Sequence, residues 1–140
     1  LLAALRQRVT VKRGSATPVK KGEVSMFLAG EWHTIELGTP PSGGGAAEQL
    51  DVSRLQDLVL APMLGIGDVR TDTRVDFVGG ARGTASLETL VSSGQAAVAF
   101  SMYPVSVADL MAISDAGGIM PPKSTWFEPK LRDGLLSHAI

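Results

Sequence analysis

The chain has 140 residues, of which 44% are hydrophobic and 19% charged, and its 13 lysines and arginines against 14 aspartates and glutamates leave a formal net charge of −1. With no global field to collect nucleic acid or an acidic membrane, any anion site has to be local. Cysteine is absent, which excludes disulfides, thiolate metal sites and a cysteine nucleophile and fits a reducing cytoplasm.

A chain of this length buries roughly two thirds of its unfolded surface and is expected to form one domain, 1–140. Its longest mainly apolar stretch, Leu58 to Ile66, holds Pro62 and Gly65 and is far short of the ~20 residues of a membrane span. The expectation is a soluble, cytoplasmic protein. Leu1 stands where a methionine would open a complete chain, and Leu1 to Leu5 has no basic region before it, unlike a secretory leader. We therefore expect a fragment of a longer protein.

In chain order, residues 1–8 read as the end of a helix and Val9 to Lys12 as a short strand, followed by a polar connection from Gly14 to Gly22. Val24, Met26 and Leu28 alternate with Ser25, Phe27 and Ala29. After the break at Gly30-Glu31 a strand-like pattern resumes from Trp32 to Leu37, which predicts a β-hairpin. The Gly, Pro and Ser-rich stretch 38–47 has no apolar period and is expected to be a flexible internal loop.

Asp51 is placed to cap a helix with Val52, Leu55, Leu58 and Val59 on one face, ended or bent by Pro62. Beyond a polar loop, Arg74 to Val78 reads as a strand and Thr84 to Ser93 as a helix stopped by Gly94. Ala96 to Tyr103 is a nearly continuous apolar strand, as expected where both faces are covered. Ser106-Val107-Ala108-Asp109 makes a capping box for a further helix ended by Gly117-Gly118. Thr125 to Phe127 and Gly134 to Ala139 read as short extended pieces. An N-terminal hairpin, a βαβα unit and short C-terminal strands predict an α+β domain, a mixed sheet with about three helices packed on it.

Three segments could carry chemistry. In Ile119 to Lys130 two adjacent prolines fix the backbone before a cation and two hydroxyls. Pro122 holds Pro121 extended, so Lys123, Ser124 and Thr125 have little entropy left to lose on binding an anion. The alternative is a proline-rich turn with Lys123 in solvent. In Val78 to Thr84 a strand runs into a glycine-rich turn and a helix start. Gly79, Gly80 and Gly83 permit close backbone approach there, the helix start at Thr84 offers free amides, and Arg82 adds a two-pronged donor suited to phosphate or carboxylate. Neither a P-loop nor Gly-x-Gly-x-x-Gly is present, and a tight connection with a solvated arginine is the competing reading.

The third segment, Leu64 to Arg74, could set Asp68 and Asp72 with Arg70 and Arg74 against a metal-bound or hydroxylated ligand, with Asp68 and Arg70 as the candidates, or simply form a self-paired, solvated loop. His33 and His138 lie far apart with no partner at ligand spacing, so no metal site is expected. A Gly-x-Ser-x-Gly elbow is absent.

Across these segments the chain resembles the C-terminal part of the Domain of Unknown Function 1015 family of bacterial proteins. The resemblance is carried by Gly22-Glu23 with the hairpin, Leu50 to Asp57, Leu64 to Asp68, Arg74 to Gly80, and Met120 to Leu131 with Gly134-Leu135. Members of that family are similar upstream to ParB-like and serine-kinase-like proteins through an Asp-Gly-His-His-Arg type motif, which this chain lacks. The resemblance thus implies a phosphotransferase for the intact protein, with ATP or ADP and magnesium as its cofactors, and a fragment that does not turn over alone.

Put together, these readings predict a phosphate-binding surface of Gly79, Gly80, Arg82, Gly83, Thr84, Lys123, Ser124 and Thr125. Its expected partners are a small phosphorylated ligand and the upstream domain, and nucleic acid and membrane are not expected. The alternative is a non-catalytic domain that packs on its upstream half or forms a homodimer.

Overall fold

A computed structural model describes residues 1–40 and 42–125. Helix α1 (Leu2–Leu5) precedes strand β1 (Thr10–Arg13) and the hairpin β2 (Glu23–Leu28) and β3 (Glu31–Glu36). Next comes a helical run made of α2 (Asp51–Leu55), a π segment (Gln56–Leu60) and α3 (Ala61–Leu64). A 3₁₀ turn at Gly80–Arg82 leads into α4 (Gly83–Ser92), then β4 (Ala99–Met102) and α5 (Val107–Asp115). The four strands form an open sheet in the order β1-β3-β2-β4. The fold is α+β, as expected. Each described pairing is antiparallel, so the parallel component of a mixed sheet is not formed among the described residues.

The hairpin follows from its pattern. Val24 faces Ile35 and Met26 faces His33 across the ladder, and with Leu5, Leu37, Leu55 and Val59 the buried residues of this face form the core. The opposite face is also covered, because Phe27 stacks near Trp32 at 5.0 Å between ring centroids and the Trp32 indole Nε1–H donates to Glu88 Oε1 of α4 at 2.6 Å. Helices therefore flank the sheet on both sides, and β2 is buried along nearly its whole length. The two-residue turn is Ala29-Gly30 with φ of 52° and 85°, the primed geometry that matches strand twist.

Several local expectations change. Asp51 is the first helical residue and not the cap, and its carboxylate accepts instead from the Gly22 amide at 2.9 Å. Pro62 does not end the helix. The run widens into a π segment, closed by the Ala61 amide on the Gln56 carbonyl, which gives the proline ring room and moves the stop to Gly65 in the left-handed region.

The strand expected at Arg74 to Val78 is irregular backbone. There the Arg74 guanidinium donates to the Leu64 and Gly65 carbonyls, and Asp76 accepts from the Phe77 amide, local bonds that compete with a ladder. Only Ala99–Met102 of the expected Ala96 to Tyr103 strand is extended in the sheet, at its edge. In contrast, Ser106 and Asp109 form the expected capping box, and Gly117 and Gly118 close α5 by donating to Ser114 and Ile113. Of the expected C-terminal strands, all but Thr125 lies outside the described residues.

Candidate functional site

A cleft of about 1990 Å³ runs along β4, between the α2 helical run, the start of α4 and the stretch from Tyr103 through α5 to Thr125. Both loops singled out in the sequence reach it. Gly79, Gly80, Gly83 and Thr84 line it together with Lys123, Ser124 and Thr125. Arg82 does not. Its side chain is exposed, and its backbone instead closes the 3₁₀ turn by donating to the Gly79 carbonyl at 2.9 Å.

The backbone prepares these loops in different ways. Gly83 takes φ of 69°, which a side chain would resist, and α4 begins there with no side-chain cap on its amides. At the other loop Lys123 itself sits at φ of 57°. For a non-glycine residue this conformation is strained by about 1–2 kcal/mol. Pro121 holds the turn together, since its carbonyl accepts from the Ser124 amide at 3.3 Å and from Ser124 Oγ–H at 2.6 Å. The Ser124 hydroxyl is thereby spent as a donor, leaving Lys123 and Thr125 as the side-chain donors of the loop. Lys123 makes no ion pair among the described residues.

Asp68 and Arg70 belong elsewhere. They pair with each other, Nη2 to Oδ2 at 2.8 Å, and Asp68 also accepts from the Arg70 amide at 2.9 Å. That guanidinium holds the Asp68 carboxyl down to about 2. Asp72 is held to about 2 in the same way by Arg74. Neither Asp68 nor Arg70 lines the cleft, and they form the self-paired solvated loop.

The sequence did not mark Asp51 as a site residue. It lines the cleft and is only 8% exposed. Oδ2 accepts from Gly22, while Oδ1 is buried without a partner. Burial pushes its carboxyl up, against the Gly22 amide and the nearby charges of Arg54 and Lys21, with Asp109 adding to the rise. Arg54 does not pair with it, because its guanidinium is drawn to the Leu37 and Gly38 carbonyls. Beside it Lys21 Nζ donates to Asp109 Oδ1 at 2.5 Å and holds that carboxyl below its usual range. No site signal marks Asp51 in the sequence: it is the second residue of Leu50 to Asp57, where the helical period made capping the simpler role.

The charges along the wall are uneven. Glu48, Asp51, Asp57, Asp76 and Asp109 face Lys21, Arg74 and Lys123, and Lys21 and Arg74 are already paired with Asp109 and Asp72. Among the described residues no three histidine, aspartate or glutamate side chains stand together as a metal set, and no helix is long and apolar enough to cross a membrane. Comparison with protein-family models, curated proteins and solved structures gives no match.

Proposed function

We propose that this domain binds the phosphate of a small molecule in the β4 cleft, with Lys123 as point charge and the Gly79 to Thr84 backbone as the facing clamp. The observation that carries this reading is that two loops about forty residues apart in sequence line one cleft, and that one of them holds a lysine in a strained conformation. Charge-assisted bonds from a lysine and from uncapped helix amides are the equipment that phosphate requires. Arg82 takes no part in the clamp.

In a cytoplasmic protein resembling the Domain of Unknown Function 1015 family, the cleft would hold a phosphorylated substrate or the tail of ATP or ADP with magnesium for phosphoryl transfer. Its role would be positioning and charge stabilisation. Calorimetry with inorganic phosphate, ADP and ATP, with and without magnesium, tests it. Binding that weakens in Lys123→Ala while the fold is retained supports the reading, and equal affinity in that variant removes it.

A second reading, a domain that packs on an upstream segment or on a second copy, is favoured by cleft size and by α5. The volume exceeds the roughly 300–1,000 Å³ of small-molecule pockets. Val107, Met111 and Ile119 are 73%, 59% and 89% exposed, the first two one helical turn apart. It predicts self-association in sedimentation experiments that Met111→Lys weakens. A chain monomeric at high concentration would exclude the homodimer.

A further inference from the structure

The phosphate reading leaves the other wall of the cleft unexplained, and we infer that Asp51 is the receiving group for a cationic ammonium on the same ligand. The inference extends that reading to the substrate class, a small phosphorylated primary amine.

Asp51 meets the chemical requirements. It is an aspartate more than nine-tenths buried on the cleft wall, with one oxygen held by a backbone amide and the other given no donor by any described residue. A buried carboxyl left half-satisfied lowers stability, and the residues that could relieve it are committed. Arg54 donates to two backbone carbonyls, and Lys21 is on Asp109. Oδ1 is closed to solvent as the wall stands, so an incoming donor reaches it with a shift of the Asp51 side chain. An ammonium carries three N–H groups and the opposite charge, so it satisfies both the hydrogen bond and the burial of charge.

The wall as a whole points the same way. Once the internal ion pairs are set aside, Glu48, Asp51, Asp57 and Asp76 remain on the wall with Lys123 as its one cation that has no ion-pair partner among the described residues. A ligand carrying only phosphate would enter against this surplus, whereas an added ammonium offsets it. Among the described residues no three of these carboxylates come together as a metal set.

The test uses the full chain and three probes read by amide NMR: inorganic phosphate, ethanolamine and phosphoethanolamine. Wild-type protein should bind phosphoethanolamine at least about tenfold more tightly than phosphate, as expected for one added charge-assisted hydrogen bond. The Gly22 amide, which reports on Asp51 directly, should move with both amines. Asp51→Asn keeps an acceptor for Gly22 and should remove the advantage of phosphoethanolamine.

Retention of that advantage in Asp51→Asn, or a Gly22 amide unmoved by either amine in the wild type, overturns the inference. Binding of phosphate with no gain from the amine would leave the phosphate site standing and this inference refuted. An ethanolamine response lost in Asp51→Asn, with phosphate silent, would do the reverse. Should Asp51→Asn fail to fold, the wild-type Gly22 response decides. Magnesium chloride alone is the last arm, and shifts at Gly22 produced by magnesium but by neither amine would also overturn the proposal.

Discussion

Replacing Lys123 by glycine separates what the residue does for the fold from what it does for the site. At φ of 57° a lysine is strained by about 1–2 kcal/mol relative to glycine. The glycine variant recovers that strain but gives back about 0.4–1 kcal/mol to the greater freedom of its unfolded chain. A net stabilisation of about 0.5–1 kcal/mol is expected, or a rise of about 2–4 °C in Tm for a chain of this size. Lys123→Ala keeps the strained backbone and should melt with the wild type.

Both variants lose the ammonium. A hydrogen bond to a charged group contributes about 1.5–3 kcal/mol, and because Lys123 is exposed and screened the lower end applies, which corresponds to about tenfold weaker phosphate binding. Thermal denaturation by circular dichroism and phosphate titration by NMR measure the two effects on the same samples. Ala29→Gly, at φ of 52° in the hairpin turn, is the control and should gain stability by a similar amount without altering phosphate affinity. A Lys123→Gly protein that binds phosphate as the wild type does would refute the assignment of the loop, and one that gains no stability would refute the argument from strain.

Other perturbations test the frame around the site. Asp51 has a raised carboxyl pKa in the folded state, so the folded chain holds its proton more tightly than the unfolded one. Stability should therefore fall as pH rises from about 4, the ordinary aspartate value, through the raised folded value. Denaturant melts of Asp51→Asn should lack that decline. Asp109 has the opposite sign: Lys21 lowers its pKa, so its contribution is present above about pH 4 and lost on further acidification, and Lys21→Ala should flatten the acid limb. A Cβ on Gly14 would lie 1.9 Å from Thr34 Oγ1 and 2.7 Å from the Thr34 amide nitrogen. Gly14→Ala should thus destabilise by about 1–3 kcal/mol, the usual cost of overpacking, measured by urea unfolding. Glu88→Ala removes the acceptor of the Trp32 indole and should cost about 1–3 kcal/mol with a shift in tryptophan emission.

How much of this was legible follows from the range of the interactions. The β2–β3 hairpin and the α5 capping box are set by neighbours within a few residues, and both formed where the pattern placed them. Arg74 to Val78 has a strand-like composition, but Arg74 bonds to carbonyls about ten residues back, a contact that no local period encodes. Pro62 was read correctly as a disturbance, while its resolution into a π segment rests on the Ala61 amide reaching the Gln56 carbonyl, a change of hydrogen-bond register that the apolar period does not encode.

The same division holds for the site. The glycine turn and the Pro-Pro-Lys loop were visible because rigid or permissive backbone announces itself in sequence, and both line the cleft, whereas Arg82, exposed within the 3₁₀ turn, does not. Asp51 was not visible as a site residue. Its role depends on burial and on Gly22, 29 residues earlier in the chain, and a carboxylate at a helix start is more simply read as a cap.

An amide NMR titration of the chain with inorganic phosphate decides whether the two loops make one phosphate site. Shifts at Gly79, Gly80, Gly83 and Thr84 and at Lys123 to Thr125 that saturate together with a single Kd are expected. A folded sample that stays silent at both loops, or whose shifts fall on one loop alone, would contradict the single site.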